Sequence, residues 1–181
     1  MKISISGTPG SGKTTVAKEL AKRLDLDYHS IGTLLRELAK ERGMDINEIS
    51  KAALETKEID NLLDEKQKEY AKEDNFIMDS RLGFHFIPDS VKIFIDCDSE
   101  VAAKRIFGDD RKTSNETYAS FDEVKEKIRF RLDTEKERYL KYYGIDYTSP
   151  DNFDLMIDSS QLSVKEIVEN IASFLKKEEY I

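Results

Sequence analysis

Residues Gly7-Thr8-Pro9-Gly10-Ser11-Gly12-Lys13-Thr14 fit the pattern G-x-x-x-x-G-K-[ST] at every fixed position, and no other stretch constrains the fold as much. Three of the chain's eight glycines fall between positions 7 and 12, where the backbone must wrap closely around an anion. The pattern has mechanical meaning only between a strand and a helix. Here a short β-rich run at 2–6 precedes it, and Val16, Leu20 and Leu24 follow on one helical face. In that setting the loop amides and the helix N-terminus point at a phosphate. Gly7, Thr8, Pro9, Gly10, Ser11, Gly12, Lys13, Thr14 and Thr15 are therefore expected to hold ATP. Lys13 is placed to reach the β- and γ-phosphates, the Thr14 hydroxyl to ligate Mg²⁺, and Thr15 to support the α-phosphate. A chance glycine-rich turn is the rival reading, and the flanking strand and helix argue against it.

Apolar runs alternate with helical patterns along the rest of the chain. Runs at 2–6, 28–30, 75–79, 91–96 and 153–158 read as strands, the last ones short, apolar and β-branched or aromatic. Helical spacing covers 12–24, 31–41, 47–72 as one or two helices, 100–107, 121–143 and 163–177. The expected fold is α/β, with a five-stranded parallel sheet and helices on both faces. No repeat, linker or low-complexity tract interrupts it, so residues 1–181 read as one domain. Within it, 31–72 is expected to form the acceptor-binding segment and the polar stretch 108–120 a lid.

Charge narrows the function. The 29 basic and 37 acidic side chains give a formal net charge of −8, which disfavours an extended nucleic-acid surface. No apolar run approaches the ~20 residues that span a bilayer. The motif begins too close to Met1 to leave room for a signal peptide, and Cys97 is the only cysteine. A soluble, cytoplasmic monomer acting on small nucleotides is expected, with Cys97 a small core residue after a strand.

The arginines mark a second anion site. Five of nine (Arg105, Arg111, Arg129, Arg131, Arg138) lie between positions 105 and 138, while Arg36 and Arg81 stand where strand–helix reasoning puts the top of the sheet. Guanidinium forks suit the charge spread over phosphate oxygens during transfer. Arg23, Arg42 and Arg129 read as solvated ion pairs instead. Arg131, Glu135 and Arg138 share one helical stripe, which on spacing alone is either a phosphate clamp or an ion-pair ladder. Asp79 ends the run Phe76-Ile77-Met78, at the carboxyl edge of a strand, where an acid supports Mg²⁺ through a water or orients the acceptor. His29 and His85 have no metal-ligand spacing, and Tyr139, Tyr142 and Tyr143 read as packing.

Taken together, these pieces resemble nucleoside monophosphate kinases of the P-loop superfamily, and among them the short cytidylate kinases of archaeal type. Those carrying the resemblance are the loop with Thr15, Ser30-Ile31-Gly32 with Arg36, Ile59-Asp60 with Asp64, Ser80-Arg81-Leu82, Arg131-x-x-x-Glu135-x-x-Arg138-Tyr139, Tyr143-Gly144-Ile145-Asp146, and Phe153-Asp154-Leu155. The resemblance implies that Ser30, Arg36 and Arg81 hold the acceptor's phosphate and that Arg131 and Arg138 bridge donor and acceptor. It also implies that Arg105 and Arg111 flank or lie in the lid, and that Asp60, Asp64 and Glu135 serve the cytosine side. Two places depart from that pattern: Ser80 stands between Asp79 and Arg81 where a glycine is expected, and Gly83-Phe84-His85-Phe86 differs from a Gly-Trp region. The implied reaction is Mg-ATP-dependent phosphorylation of CMP or dCMP. The alternatives are a kinase for AMP, shikimate or dephospho-coenzyme A, or an ATPase acting on a protein or RNA partner.

Overall fold

The computed structural model describes residues 1–108 and 118–181. Five strands, β1 (Lys2–Gly7), β2 (Asp27–Ser30), β3 (Phe76–Asp79), β4 (Val91–Asp96) and β5 (Leu155–Asp158), form one parallel sheet in the order β2-β3-β1-β4-β5. The expected α/β architecture is borne out. β5 starts two residues later than the apolar run suggested, because Pro150–Asn152 forms a single 3₁₀ turn and Phe153 packs beneath it against Phe84 and Phe94.

One face of the sheet is covered by α1 (Lys13–Leu24) and α8 (Val164–Lys177). Ile3, Ile5, Ile77, Ile93 and Ile95 meet Val16, Leu20, Ile167 and Ile171 there, all essentially solvent-free. The other face carries α2 (Ile31–Glu41), α3 (Ile46–Glu55) and α4 (Glu58–Tyr70) over Phe76 and Met78. Next to them lie α5 (Gly83–Phe86) and the long α7 (Phe121–Tyr143) over Phe94, and α6 (Ser99–Gly108) packs against α7.

β1 reads Ile-Ser-Ile-Ser yet is buried on both faces. Its serines tolerate this because each is hydrogen-bonded: Ser4 Oγ accepts from Ser90 Oγ at 2.9 Å, and Ser6 Oγ donates to the Arg81 carbonyl at 2.9 Å. Their small size lets α5 approach so closely that a Cβ on Gly83 would lie 3.2 Å from Ser4 Cβ and from Met78 Cγ. That approach fixes the turn carrying Ser80 and Arg81. α5 itself is too short for a periodic pattern, and nothing in the sequence announced it.

Helix ends follow local chemistry. Ser30 caps α2, Asp45 and Glu48 form a capping box on α3, Ser163 and Glu166 another on α8, and Ser120 caps α7. Gly144 ends α7 in the left-handed region at φ 69°. No helix among the described residues is long and apolar enough to cross a membrane.

Candidate active site

The glycine-rich loop joins β1 to α1 at the carboxyl edge of the sheet. A Cβ on Gly7 would stand 2.2 Å from the Ile95 carbonyl oxygen, so only glycine lets the chain leave β1 against β4. Gly12 precedes α1 at φ 81° with no side-chain cap, which leaves the first amides of the helix facing the loop's concavity. Ser11 Oγ is buried and has no hydrogen-bond partner. An orphaned polar atom in a cradle of backbone amides fits an oxyanion such as a phosphate. From beneath, the Ser11 carbonyl accepts from Ser159 Oγ at 3.0 Å, while Thr8 Oγ1 donates to Asp96 at 2.9 Å.

Asp79 is the hub of the loop's outer rim. It is 1% exposed, and its carboxylate accepts from Lys13 Nζ, from Thr14 Oγ1 at 2.7 Å and from Tyr28 Oη at 3.0 Å. Burial pushes its pKa up, but Lys13 and the hydroxyl of Thr14 hold the carboxyl below its usual range. Lys13 is driven down to about 8, chiefly by burial; Asp79 opposes the fall, and the cations Arg81 and Arg131 add to it. A hydroxyl and a carboxylate side by side are the donor set that fits Mg²⁺ or its waters.

Beyond Lys13 and Thr14 a cavity opens between the sheet edge, α2, α4 and α7. Ile31, Gly32 and Arg36 line it from α2, Asp60, Asp64 and Gln67 from α4, Ser80 and Arg81 from the turn after β3, and Arg131, Glu135, Arg138 and Tyr139 from α7. Arg36, Arg81 and Arg131 line both this cavity and the phosphate loop's own hollow. Arg138 lines only the former.

Glu135 differs from the expectation that it faces a base. It is buried, and both its oxygens are engaged: Arg81 Nε donates at 2.8 Å, Arg131 Nε at 3.1 Å and Tyr147 Oη at 3.0 Å. A carboxylate that already accepts from two guanidinium groups and a phenol is largely committed to its own neighbours. Burial raises its pKa, but Arg81 and Arg131 outweigh burial and hold it near 2. The ladder reading of this stripe therefore applies to Glu135, which aims two arginines at the loop. Arg138 is 2% exposed; its Nη2 donates to Tyr139 Oη at 3.0 Å, and its Nε lies 3.5 Å from Asp60 Oδ2 without a hydrogen bond. It lines the cavity but not the hollow of the phosphate loop.

Other expectations are redirected too. Ser30 does not line the cavity, because its Oγ accepts from the Thr33 amide at 3.2 Å as the cap of α2. Arg105 lies under the loop, with Nη2 donating to the Ser159 carbonyl at 2.7 Å and Nη1 to Ser159 Oγ at 3.0 Å. It borders a second hollow lined by Gly10, Gly12, Thr15, Leu162 and Val164. Cys97 is half-buried beside Arg105 instead of in the core, since it follows the last residue of β4 at the sheet's open edge. Arg111 and most of the expected lid at 108–120 lie outside the described residues. Arg23, Arg42 and Arg129 pair with Glu169, Glu58 and Asp133, as solvated arginines do.

Sequence reasoning missed Tyr28, Gln67, Tyr143, Tyr147 and Ser159. Gln67 had a signal, since it continues Asp60 and Asp64 at the i+7 position of the same helical face. The others become functional neighbours only through tertiary contact. Among the described residues no cluster of three or more His, Cys, Asp or Glu could hold a metal on its own.

The comparisons agree with this geometry. A family model described as "Cytidylate kinase-like family" matches residues 2–161. A cytidylate kinase of Archaeoglobus fulgidus is 40% identical over 94% of this chain and 92% of its own length. One from Sulfolobus acidocaldarius is 38% identical over 98% of this chain and 95% of its own length. Among solved structures, a shikimate kinase from Bacteroides thetaiotaomicron superposes with a TM-score of 0.66 at 16% identity, covering 97% of this chain and 98% of that one, and shows the shared fold. By its sequence match over nearly the whole length, the chain belongs to the cytidylate kinase-like family and is an enzyme of that kind.

Proposed function

We propose that this nucleoside monophosphate kinase moves the γ-phosphoryl group of Mg-ATP to CMP or dCMP, giving CDP or dCDP. The observation carrying the reading is the cavity that shares Arg36, Arg81 and Arg131 with the phosphate loop and is walled by two buried acids, Asp60 and Asp64. An ATPase without a small acceptor has no use for an arginine-lined chamber facing its phosphate loop. The bound magnesium nucleotide supplies the group to be transferred. The chain's own residues do the rest: loop amides and Lys13 hold the β- and γ-phosphates, Lys13 exchanging Asp79 for phosphate, while Thr14 and a water on Asp79 face the metal. Arg36, Arg81 and Arg131 hold the acceptor phosphate and offset the charge that builds on the oxygens. That phosphate is already anionic, so no general base is required.

At the other side, Asp60 and Asp64 accept from the exocyclic amine of cytosine and repel the carbonyl that uracil carries there. In this reading residues 1–181 work as one kinase unit, with 31–72 as its acceptor-binding segment. A coupled ADP-release assay across CMP, dCMP, UMP, AMP, shikimate and dephospho-coenzyme A tests it. CMP or dCMP should lead in kcat/KM. AMP or shikimate leading overturns the cytidylate reading, and ATP hydrolysis indifferent to every acceptor overturns transfer itself.

A further inference from the structure

The wall that α4 gives to the acceptor cavity is polar where an inward helix face would ordinarily be apolar. Asp60, Asp64 and Gln67 succeed one another at i, i+4 and i+7, and all three are more than nine-tenths buried. Each is held from behind by a different partner. Asp60 lies against Arg138, Asp64 accepts from Tyr143 Oη at 2.7 Å, and Gln67 Oε1 accepts from Ser80 Oγ at 2.5 Å. The two acids present acceptors only, so Gln67 is the one neutral side chain of this row that can present a donor.

Ser80 decides which end of the amide that is. Its oxygen already accepts from the Leu82 amide at 3.3 Å, and its own proton goes to Gln67 Oε1. A hydroxyl oriented in this way keeps the amide oxygen turned toward Ser80 and leaves the NH₂ as the group Gln67 offers to the cavity. We propose that Gln67, oriented by Ser80, is a specificity-determining residue that donates to the ring N3 of a cytosine acceptor. Uracil carries a proton at N3, so it would set donor against donor. Discrimination then rests on two features of the α4 face, acids that read the amine and an amide that reads the ring acceptor beside it. This inference rests on the cytidylate reading above and names a further part of its base site.

The test is the ratio of kcat/KM for CMP over UMP in wild type, Gln67→Met and Ser80→Ala, with thermal unfolding of each protein alongside. Methionine keeps the length and volume of Gln67 and removes the donor. The ratio should fall about tenfold or more in Gln67→Met, chiefly through a higher KM for CMP. Ser80→Ala frees the amide to turn its oxygen inward, so the ratio should fall in the same direction by a smaller factor, with KM again the affected constant. A ratio unchanged in both variants, or an equal loss for CMP and UMP, gives the pair a purely structural role and overturns the inference. A wild type that prefers CMP while both variants keep its ratio sinks this inference alone, whereas a wild type with no preference for CMP sinks the base reading and the inference together.

Discussion

Arg81 Nε donates to Glu135 Oε2 at 2.8 Å, tying the turn after β3 to the middle of α7 through two side chains that are both nearly dry. Tyr147 closes the same carboxylate from the far side. The link sets the direction of a guanidinium that lines both the phosphate loop and the neighbouring cavity.

Removing that carboxylate should leave Arg81 and Arg131 buried without compensation. Glu135→Ala is expected to lose about 3 kcal/mol or more of folding stability, as broken buried ion pairs do. Urea unfolding of the variant checks it; a midpoint equal to wild type would mean that solvent or Asp60 replaces the lost charge.

The same group sets an acid limit. Because the folded protein holds Glu135 near 2, below its ordinary range of about 4, the unfolded chain binds the extra proton first. The stability it confers is complete above about pH 5 and disappears as pH falls toward 2. Unfolding free energies measured across that window should show the loss in wild type and a shallower slope in Glu135→Gln.

Lys13→Ala should cost at least about 3 kcal/mol of transition-state stabilisation, a fall of a hundredfold or more in kcat. Asp79 keeps the hydroxyls of Thr14 and Tyr28, so the fold should survive. Turnover by quenched flow, with circular dichroism on the same sample, separates the two. Near-wild-type turnover would remove the phosphate loop from the chemistry.

Arg36→Ala is expected to weaken acceptor binding by about 1.5–3 kcal/mol while ATP affinity changes little. Arg36 sits on α2 and does not donate to Glu135 as Arg81 and Arg131 do, so thermal unfolding of the variant is measured alongside. Calorimetry with each ligand separately decides it, and equal weakening of both would assign Arg36 to the donor or to the fold.

Asp60 supplies a pH signature. Burial pushes its carboxyl up to about 6, with Arg138 drawing it down and Asp64 adding to the rise. Once protonated it no longer repels a carbonyl, so the CMP-over-UMP ratio of kcat/KM should shrink as pH falls through about 6. Asp60→Asn should flatten that dependence. An unchanged pH profile in the variant would place the titrating group elsewhere.

What the sequence disclosed was local. The strand–loop–helix unit around Gly12 was legible because its glycines and the following amphipathic spacing are short-range requirements. The arginines were legible as a class, since an acidic chain that sets Arg81 just after a strand and gathers others between 105 and 138 has few uses for them other than anions. Pairings were not. Glu135 shares a stripe with Arg131, but its bond to Arg81 depends on how α7 crosses the sheet, and no spacing encodes that. Ser30 was a plausible phosphate ligand until its place just before α2 made it a cap, and Cys97 was assigned to a core that β4 leaves one residue earlier. Tyr28 reaches Asp79 only because β2 lies beside β3, with Ser30 in register with Asp79.

The strand order has a consequence for how such a molecule comes into being. β1 is made first, yet its two neighbours are β3 and β4, with Lys2 beside Phe76 and Ile3 beside Val91. The Thr8 amide donates its hydrogen bond to the Ile95 carbonyl, and the Gly7 backbone is shaped against that same residue. A chain emerging from the ribosome therefore carries its phosphate-loop residues before β3 and β4 exist, and cannot give them their shape until β4 has followed. Until then β1 is an apolar segment with both edges open, and contacts this distant in sequence form slowly and expose the chain to aggregation while they do. Of the five strands, the one written earliest is assembled late.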